Sequence, residues 1–214
     1  MLFAKLKLRG DVEIYSSNIT DYLKRFEPER DQVLKEIERE CEERNLEPVS
    51  PEVGTFLRFL VRISKCRRVL EIGTCLGYST ICMAQGLMPE GLIETIEVDQ
   101  QRASEAEENF KKANVHNKIR VLHGLALSIL PTLNRDYDLI FIDALKNEYP
   151  QYLDHSLRLL RKGGIIIGDD ALLGELGWGD EVSRKALGEF NQRVCNELKG
   201  VLLPLGDGLA LTTI

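Results

Sequence analysis

Three aspartates and a lysine form the most chemically suggestive pattern in the chain. Asp143 closes the apolar run Asp138–Ile142, and Asp169-Asp170 closes the run Gly164–Gly168. Each run is short and rich in β-branched residues, which reads as a buried strand. Such strands lie parallel, so their carboxyl ends share one sheet edge, where open α/β folds bind ligands. Three carboxylates meeting there repel one another unless a cation lies between them. An all-oxygen donor set suits a hard divalent ion, most naturally Mg²⁺. The competing reading is that single aspartates cap helices or pair with Arg161 or Lys162. Lys146 follows Asp143 by three residues. Beside a bound cation its ammonium form is disfavoured, so its pKa should fall toward the range of a general base.

A second pattern lies upstream. The run Val69–Ile72 ends in Gly73, Gly77 follows after Thr74, Cys75 and Leu76, and a helical stretch begins near Ser79. Gly73 lets the backbone leave a strand sharply, and Gly77 lets a ligand approach the helix N-terminus. The spacing G-x-x-x-G lacks the middle glycine that makes room for a pyrophosphate, which weighs against NAD. Glu97 stands near the end of the next strand, where a carboxylate can accept hydrogen bonds from both hydroxyls of a ribose. Loop and acid together describe a site for an adenosine-containing ligand. Taken alone, the glycines could merely pack a strand against a helix.

The elements that must position these groups alternate regularly. Strands are expected at Arg68–Ile72, Leu92–Val98, Ile119–Leu122, Asp138–Ile142 and Gly164–Gly168. Helices are expected at Ser79–Gly86, Gln101–Asn114, Ala126–Leu133 and Tyr149–Arg161. Ahead of them, Glu29–Arg44 repeats Val33, Leu34, Ile37 and Cys41 at helical spacing. Ser50-Pro51-Glu52 is a capped helix start leading to about Ser64. A last helix, about Glu181–Leu198, precedes Val201–Leu205 and Leu209–Thr213, which Gly206-Asp207-Gly208 joins as an antiparallel hairpin. Thr20 would cap Asp21–Phe26, and the alternation Leu2, Ala4, Leu6, Leu8 suits a strand, an oligomer contact or a frayed end. The fold class is α/β and Rossmann-like: a mostly parallel sheet, helices on both faces and a C-terminal antiparallel hairpin.

The bulk properties narrow the classes. The chain has 214 residues, 43% hydrophobic and 29% charged, which suits one α/β domain with a short extension. No apolar run is long enough to span a bilayer, and Lys5, Lys7 and Arg9 interrupt the start where a signal peptide needs an apolar core. A cytoplasmic protein with no membrane partner is expected. Cys41, Cys66, Cys75, Cys82 and Cys195 form no CxxC pair or zinc spacing and read as free thiols. The net charge of −6 argues against a general nucleic-acid coat without excluding a local basic patch.

LEIGTCLGYST, TIEVD, DLIFIDALK, LLRKGGIIIGDD and LPLGDGLAL occur in order, and together they resemble the cation-dependent O-methyltransferase family. That family includes catechol and caffeoyl-coenzyme A O-methyltransferases and bacterial enzymes acting on tRNA 5-hydroxyuridine. The similarity runs from about Ile19 to the C-terminus. It implies S-adenosyl-L-methionine as methyl donor, bound by Val49, Glu71, Gly73, Thr74, Ser79, Glu97, Leu125, Ala126 and Asp143. Glu71 and Gly73 would hold the methionine part, Ser79 its carboxylate and Glu97 the ribose. Gly124, Leu125 and Ala126 would line the adenine, and Val49 would cover the methionine end. The resemblance also assigns a divalent cation to Asp143, Asp169 and Asp170, and proton abstraction to Lys146 beside Asp143.

Two positions depart from the family. Leu125 stands where Asp is frequent, and Asp169-Asp170 replaces the usual Asp-Asn, which bears on which cation is preferred. The acceptor implied is a hydroxyl next to a second oxygen, on a catechol-like hydroxylated aromatic small molecule or on tRNA 5-hydroxyuridine. Trp178 would wall the acceptor or join the core, and Tyr78 would pack in the core. Residues 1–48 would form a helical extension serving as cap or homodimer contact, and residues 49–214 the methyltransferase domain. Two alternatives come from other classes: a nicotinamide-dependent reductase, which needs a better phosphate loop and a catalytic Tyr/Lys or His, and a non-catalytic cofactor-binding regulator, which could afford to lose Lys146 or the carboxylates that are present here.

Overall fold

The computed structural model describes residues 29–134 and 136–214, together with Tyr22, Arg25 and Phe26. The readings made for Leu2–Leu8 and for the Thr20-capped helix lie outside the described residues. Two helices come first. In α1 (Gln32–Arg44) Leu34, Ile37 and Cys41 are buried at helical spacing. In α2 (Pro51–Ile63) the Ser50 hydroxyl accepts from the Val53 N–H, and proline opens the first turn. The inward faces of both join one apolar cluster with Val69, Ile93, Leu139, Phe141 and Ile167 from the sheet.

The sheet has seven strands: β1 (Arg68–Ile72), β2 (Leu92–Glu97), β3 (Ile119–His123), β4 (Tyr137–Ile142), β5 (Leu160–Gly168), β6 (Val201–Leu203) and β7 (Leu209–Thr213). Their order is β3-β2-β1-β4-β5-β7-β6. The first five pair in parallel, and β7 runs antiparallel to both β5 and β6. On one face lie α1, α2, α3 (Tyr78–Gly86) and α4 (Gln100–Lys112). On the other, α6 (Tyr149–Leu159) and α7 (Glu181–Gln192) cover Leu70, Ile72, Ile140, Ile142 and Ile166. Adjacent residues such as Val69 and Leu70 enter opposite clusters, as strand alternation requires. A short helix, α5 (Ala126–Ile129), follows β3. This is the Rossmann-like α/β arrangement with its C-terminal hairpin. No helix among the described residues is long and apolar enough to cross a membrane.

Local differences from the expected elements have local causes. The helix expected to reach Arg161 stops at Leu159, because Leu160 pairs with Tyr137 before a register shift in the β4–β5 ladder. The stretch expected as helix to Leu133 becomes a tighter turn at Leu130–Thr132, where Pro131 has no N–H to continue the α-helical ladder. The last helix gives way to a wide turn over Arg193–Glu197.

Strand order fixes where ligands can bind. The chain builds β1, β2 and β3 outward in one direction, then crosses back to place β4 on the other side of β1. The loops leaving β1 and β4 therefore diverge, opening a crevice at their carboxyl ends.

Candidate active site at the carboxyl edge

The strand ends are tied together by main-chain hydrogen bonds that step across the edge. Gly124 N donates to Glu97 O (2.9 Å), Gly73 N to Ile96 O (3.0 Å), Asp143 N to Ile72 O (2.9 Å) and Asp169 N to Ile142 O (2.9 Å). Five of the positions read from the sequence, at the ends of five different strands, are thus held in one row. Gly73, at φ +103°, is required there: a Cβ would lie 1.9 Å from the Asp143 carbonyl oxygen. Gly77, at φ +88°, precedes the first turn of α3, and a Cβ would meet the Phe110 ring at 2.3 Å.

The loop half of the site is closed on itself. Glu71 is fully buried, and its carboxylate accepts from Ser79 Oγ (2.6 Å), Thr95 Oγ1 (2.6 Å) and Thr80 Oγ1. Burial pushes its pKa up to about 7, against the three hydroxyls, which favour the ionised form. Thr74 Oγ1 reaches Thr95 Oγ1 at 2.6 Å, so the buried Thr74 belongs to the same network. The side chains of Glu71, Thr74 and Ser79 are therefore bonded to one another or to Thr95, and the loop offers a ligand mainly its backbone. Val49 is buried in the cluster beneath α2. Tyr78 is buried as expected, its hydroxyl donating to Glu38 Oε1 at 2.8 Å.

Glu97, at the end of β2, accepts from Cys75 N (2.8 Å) through Oε2 and from Asp99 N (3.0 Å) through Oε1. Each carboxylate oxygen has two acceptor sites, so capacity for ribose hydroxyls remains. Leu125 is 61% exposed, and Ala126 beside it is half-buried. Large apolar side chains are exposed in each segment leaving β2 to β5: Val98, Leu125, Leu145 and Trp178. Trp178 does not join the core; it is 40% exposed.

The carboxylate half is charged and unbalanced. Lys146 Nζ lies 3.0 Å from Asp143 Oδ1 and 2.6 Å from Asp170 Oδ2, so one ammonium bridges two of the three aspartates. Asp169 is buried, and its Oδ1 accepts from Asp170 N at 2.9 Å. Burial, then the charges of Asp170 and Asp143, hold the Asp169 carboxyl well above the usual range. Burial raises Asp170 to about 6, against the pull of Lys146. Arg161 pairs instead with Asp138, away from the trio.

The fall expected for the Lys146 pKa concerns a site with a cation bound. Burial alone would lower its pKa, but the neighbouring Tyr149, Asp143 and Asp170 outweigh burial and hold it well above the ordinary lysine value. The expected fall presupposed a cation among the carboxylates; in the described arrangement the lysine is itself the counter-ion. Among the described residues no three acidic, His or Cys side chains close around one point as a ready metal cage. The donor chemistry nevertheless suits a hard cation: three carboxylates, two of them already sharing one positive charge.

Two members of the site were not singled out from the sequence. The hydroxyl of Tyr149 accepts from Lys146 Nζ at 2.9 Å. Asp207, half-buried in the β6–β7 turn, has its carboxyl pKa raised by burial, then by Glu47 and Asp143, against Lys146. The turn reaches this edge because β7 runs antiparallel to β5, which places the start of β7 beside the end of β5; Leu172 N donates to Asp207 O at 3.0 Å. The three-residue steps Asp143–Lys146–Tyr149 were a readable signal for Tyr149. For Asp207 only the strand order reveals the proximity.

Comparison with known proteins agrees with this geometry. A catechol O-methyltransferase of Niastella koreensis is 38% identical over 58% of this chain; the chain spans 58% of that relative's length. The O-methyltransferase TomG of Streptomyces achromogenes, solved in complex with SAM, superposes with a TM-score of 0.82 at 28% identity, covering 92% of this chain and 96% of that one. An O-methyltransferase of Bacillus cereus, solved with SAH, gives a TM-score of 0.80 at 30% identity, covering 92% and 97%. The sequence profile of the O-methyltransferase family matches residues 25–213. The chain with this carboxyl edge belongs to the O-methyltransferase family.

Proposed function

We propose that this protein transfers a methyl group from S-adenosylmethionine to a hydroxyl that neighbours a second oxygen, on a catechol-like small molecule. The observation that carries the reading is the row of strand ends: the glycine loop, Glu97 and the three aspartates lie along one edge, hydrogen-bonded loop to loop. The donor is suggested by the structural relatives solved with SAM or SAH, and the acceptor by the catechol O-methyltransferase relative. The exposed Val98, Leu125, Leu145 and Trp178 around the edge suit planar, largely apolar ligands. The net charge of −6 favours a small acceptor over a polyanionic tRNA.

Methyl transfer from a sulfonium is an in-line displacement, so the residues act mainly by placing two reactants. Main-chain groups at Gly73 and the exposed rim near Leu125 bind the donor, with Glu97 receiving the ribose hydroxyls. Asp143 lies where donor and acceptor sites meet, since its carbonyl touches Gly73 and its carboxylate touches Lys146. Asp143, Asp169 and Asp170 would hold a divalent cation, which when bound would offset the charge that keeps Lys146 protonated and would acidify a nearby hydroxyl. With that charge offset, Lys146 would release its own proton to solvent, and the neutral Nζ would then take the acceptor's proton.

The test is methyl transfer from S-adenosylmethionine to catechol and to tRNA bearing 5-hydroxyuridine, each with Mg²⁺ and with excess chelator. Catechol should be methylated only with the metal. Undiminished transfer in chelator removes the cation from the mechanism, and transfer to tRNA alone replaces the acceptor.

A further inference from the structure

We infer that Tyr149 is the positioning residue that aims the Lys146 amine, through a phenol whose own proton is committed to the backbone. This rests on the reading of Lys146 as the group that takes the acceptor's proton.

The Tyr149 hydroxyl has one hydrogen and two carbonyl partners, Asp169 O at 3.0 Å and Ile142 O at 3.2 Å. Both carbonyls belong to the ends of the strands that carry the aspartates. With its proton shared between them, the phenol oxygen can only accept from Lys146 Nζ. The three hydrogens of the Lys146 ammonium therefore have three fixed partners: Tyr149 at 2.9 Å, Asp143 at 3.0 Å and Asp170 at 2.6 Å. Two of these partners are charged and compete for the same end of a flexible side chain. Tyr149 is the neutral one, and it fixes a third direction for a nitrogen that already bridges both carboxylates.

The post is rigid. Tyr149 is 0% exposed and opens α6, next to Pro150 in the first helical turn. Its ring meets Phe190 edge-on at 5.2 Å, and Lys146 Nζ lies 5.0 Å from the ring centroid. Gly168 makes room for this packing: a Cβ there would lie 2.6 Å from the Phe190 ring. The backbone that carries Asp169 thus also fixes the phenol. A tetrahedral amine held at Tyr149 and Asp170 turns its third direction toward Asp143, at the crevice between β1 and β4. Without the hydroxyl, only the two carboxylates position the nitrogen, and its third direction is no longer fixed.

Tyr149→Phe removes the oxygen and keeps the ring. The expected result is a kcat at least tenfold lower, with KM for S-adenosylmethionine and for catechol each within twofold of the parent. A merely structural role would lower the melting temperature and leave kcat intact below it. Lys146→Met, assayed alongside, separates the two levels of the inference. If Lys146→Met is inactive while Tyr149→Phe turns over normally, the positioning role falls and the base remains. If both turn over normally, the role of Lys146 itself falls. A crystal structure of Tyr149→Phe decides independently of any acceptor: Nζ displaced from its place between Asp143, Asp170 and position 149 supports the inference, and Nζ unmoved overturns it.

Discussion

The two halves of the carboxyl edge are built on opposite principles. Around the glycine loop every buried acidic oxygen has a protein donor: Glu71 takes three hydroxyls, and Glu97 takes two main-chain N–H groups. A few residues away, two of three aspartates share one ammonium, and Asp207 adds a fourth carboxyl to its surroundings. The first half is complete before any ligand arrives, so it can present a fixed backbone to a donor. In the second, burial raises Asp169 and Asp170, and the neighbouring Tyr149, Asp143 and Asp170 hold Lys146 well above the ordinary lysine value. Rigidity belongs to the half proposed to bind the donor and charge imbalance to the half proposed to react. The two meet at the contact between Gly73 and the main chain of Asp143.

Breaking that contact has the largest expected effect. Gly73→Ala places a methyl 1.9 Å from the Asp143 carbonyl oxygen, at a φ of +103° that an L side chain rarely adopts. Either β1 and β4 part at their carboxyl ends or the loop refolds. Unfolding in urea should show a loss of roughly 4 kcal/mol, within the range of severe backbone and overpacking lesions. Because the same contact joins both halves, donor binding by calorimetry and turnover should be lost together. A variant that kept one and lost the other would show that the halves are independent.

The next test asks whether the loop half is truly self-contained. Glu71 has a folded pKa of about 7 against an ordinary value of 4.5, so the folded protein binds this proton more tightly than the unfolded chain does. The resulting stabilisation is full below pH 4.5 and is lost as pH rises through 7, a fall of about 3 kcal/mol at roughly 1.4 kcal/mol per pKa unit. Glu71→Gln stays neutral throughout and should remove that part of the slope. Urea titrations of both proteins between pH 4.5 and 8 measure the difference. Parallel curves would mean that the three hydroxyls already stabilise the ionised form in full.

This contrast was only partly legible in the sequence. β1 and β7 carry the bounds read from their apolar runs, because short β-branched segments between turn residues leave little choice. The loop glycines and the strand-end aspartates were legible for the same reason: topology puts the carboxyl ends of parallel strands on one edge. Partners were not legible. That Ser79 bonds Glu71, or that Lys146 bridges Asp143 and Asp170, depends on side-chain directions that spacing does not specify. Asp207 is 37 residues beyond Asp170 in the chain and reaches the edge only because β7 inserts antiparallel between β5 and β6. The raised pKa of Lys146 belongs to the arrangement without a cation, whereas the fall read from the sequence is for a site with one bound.

The smallest expected effect concerns the rim of the loop half, where a departure from the family leaves Leu125 61% exposed. Leu125 is the N-cap of α5, and its side chain makes no capping hydrogen bond. Leu125→Asp introduces a group that can cap the first turn, a gain of about 0.5–1 kcal/mol in stability. The consequence for the donor depends on what Leu125 contributes. If the rim binds adenine through main-chain groups and leucine only covers it, the new carboxylate adds a polar contact. Affinity for S-adenosylmethionine should then rise two- to fivefold, about 0.4–1 kcal/mol. If the apolar contact itself carries the adenine, affinity falls by a similar factor while stability still rises. Calorimetry and thermal unfolding on one variant therefore separate the two, and opposite signs would mean that the rim, unlike the rest of its half, is built by burial.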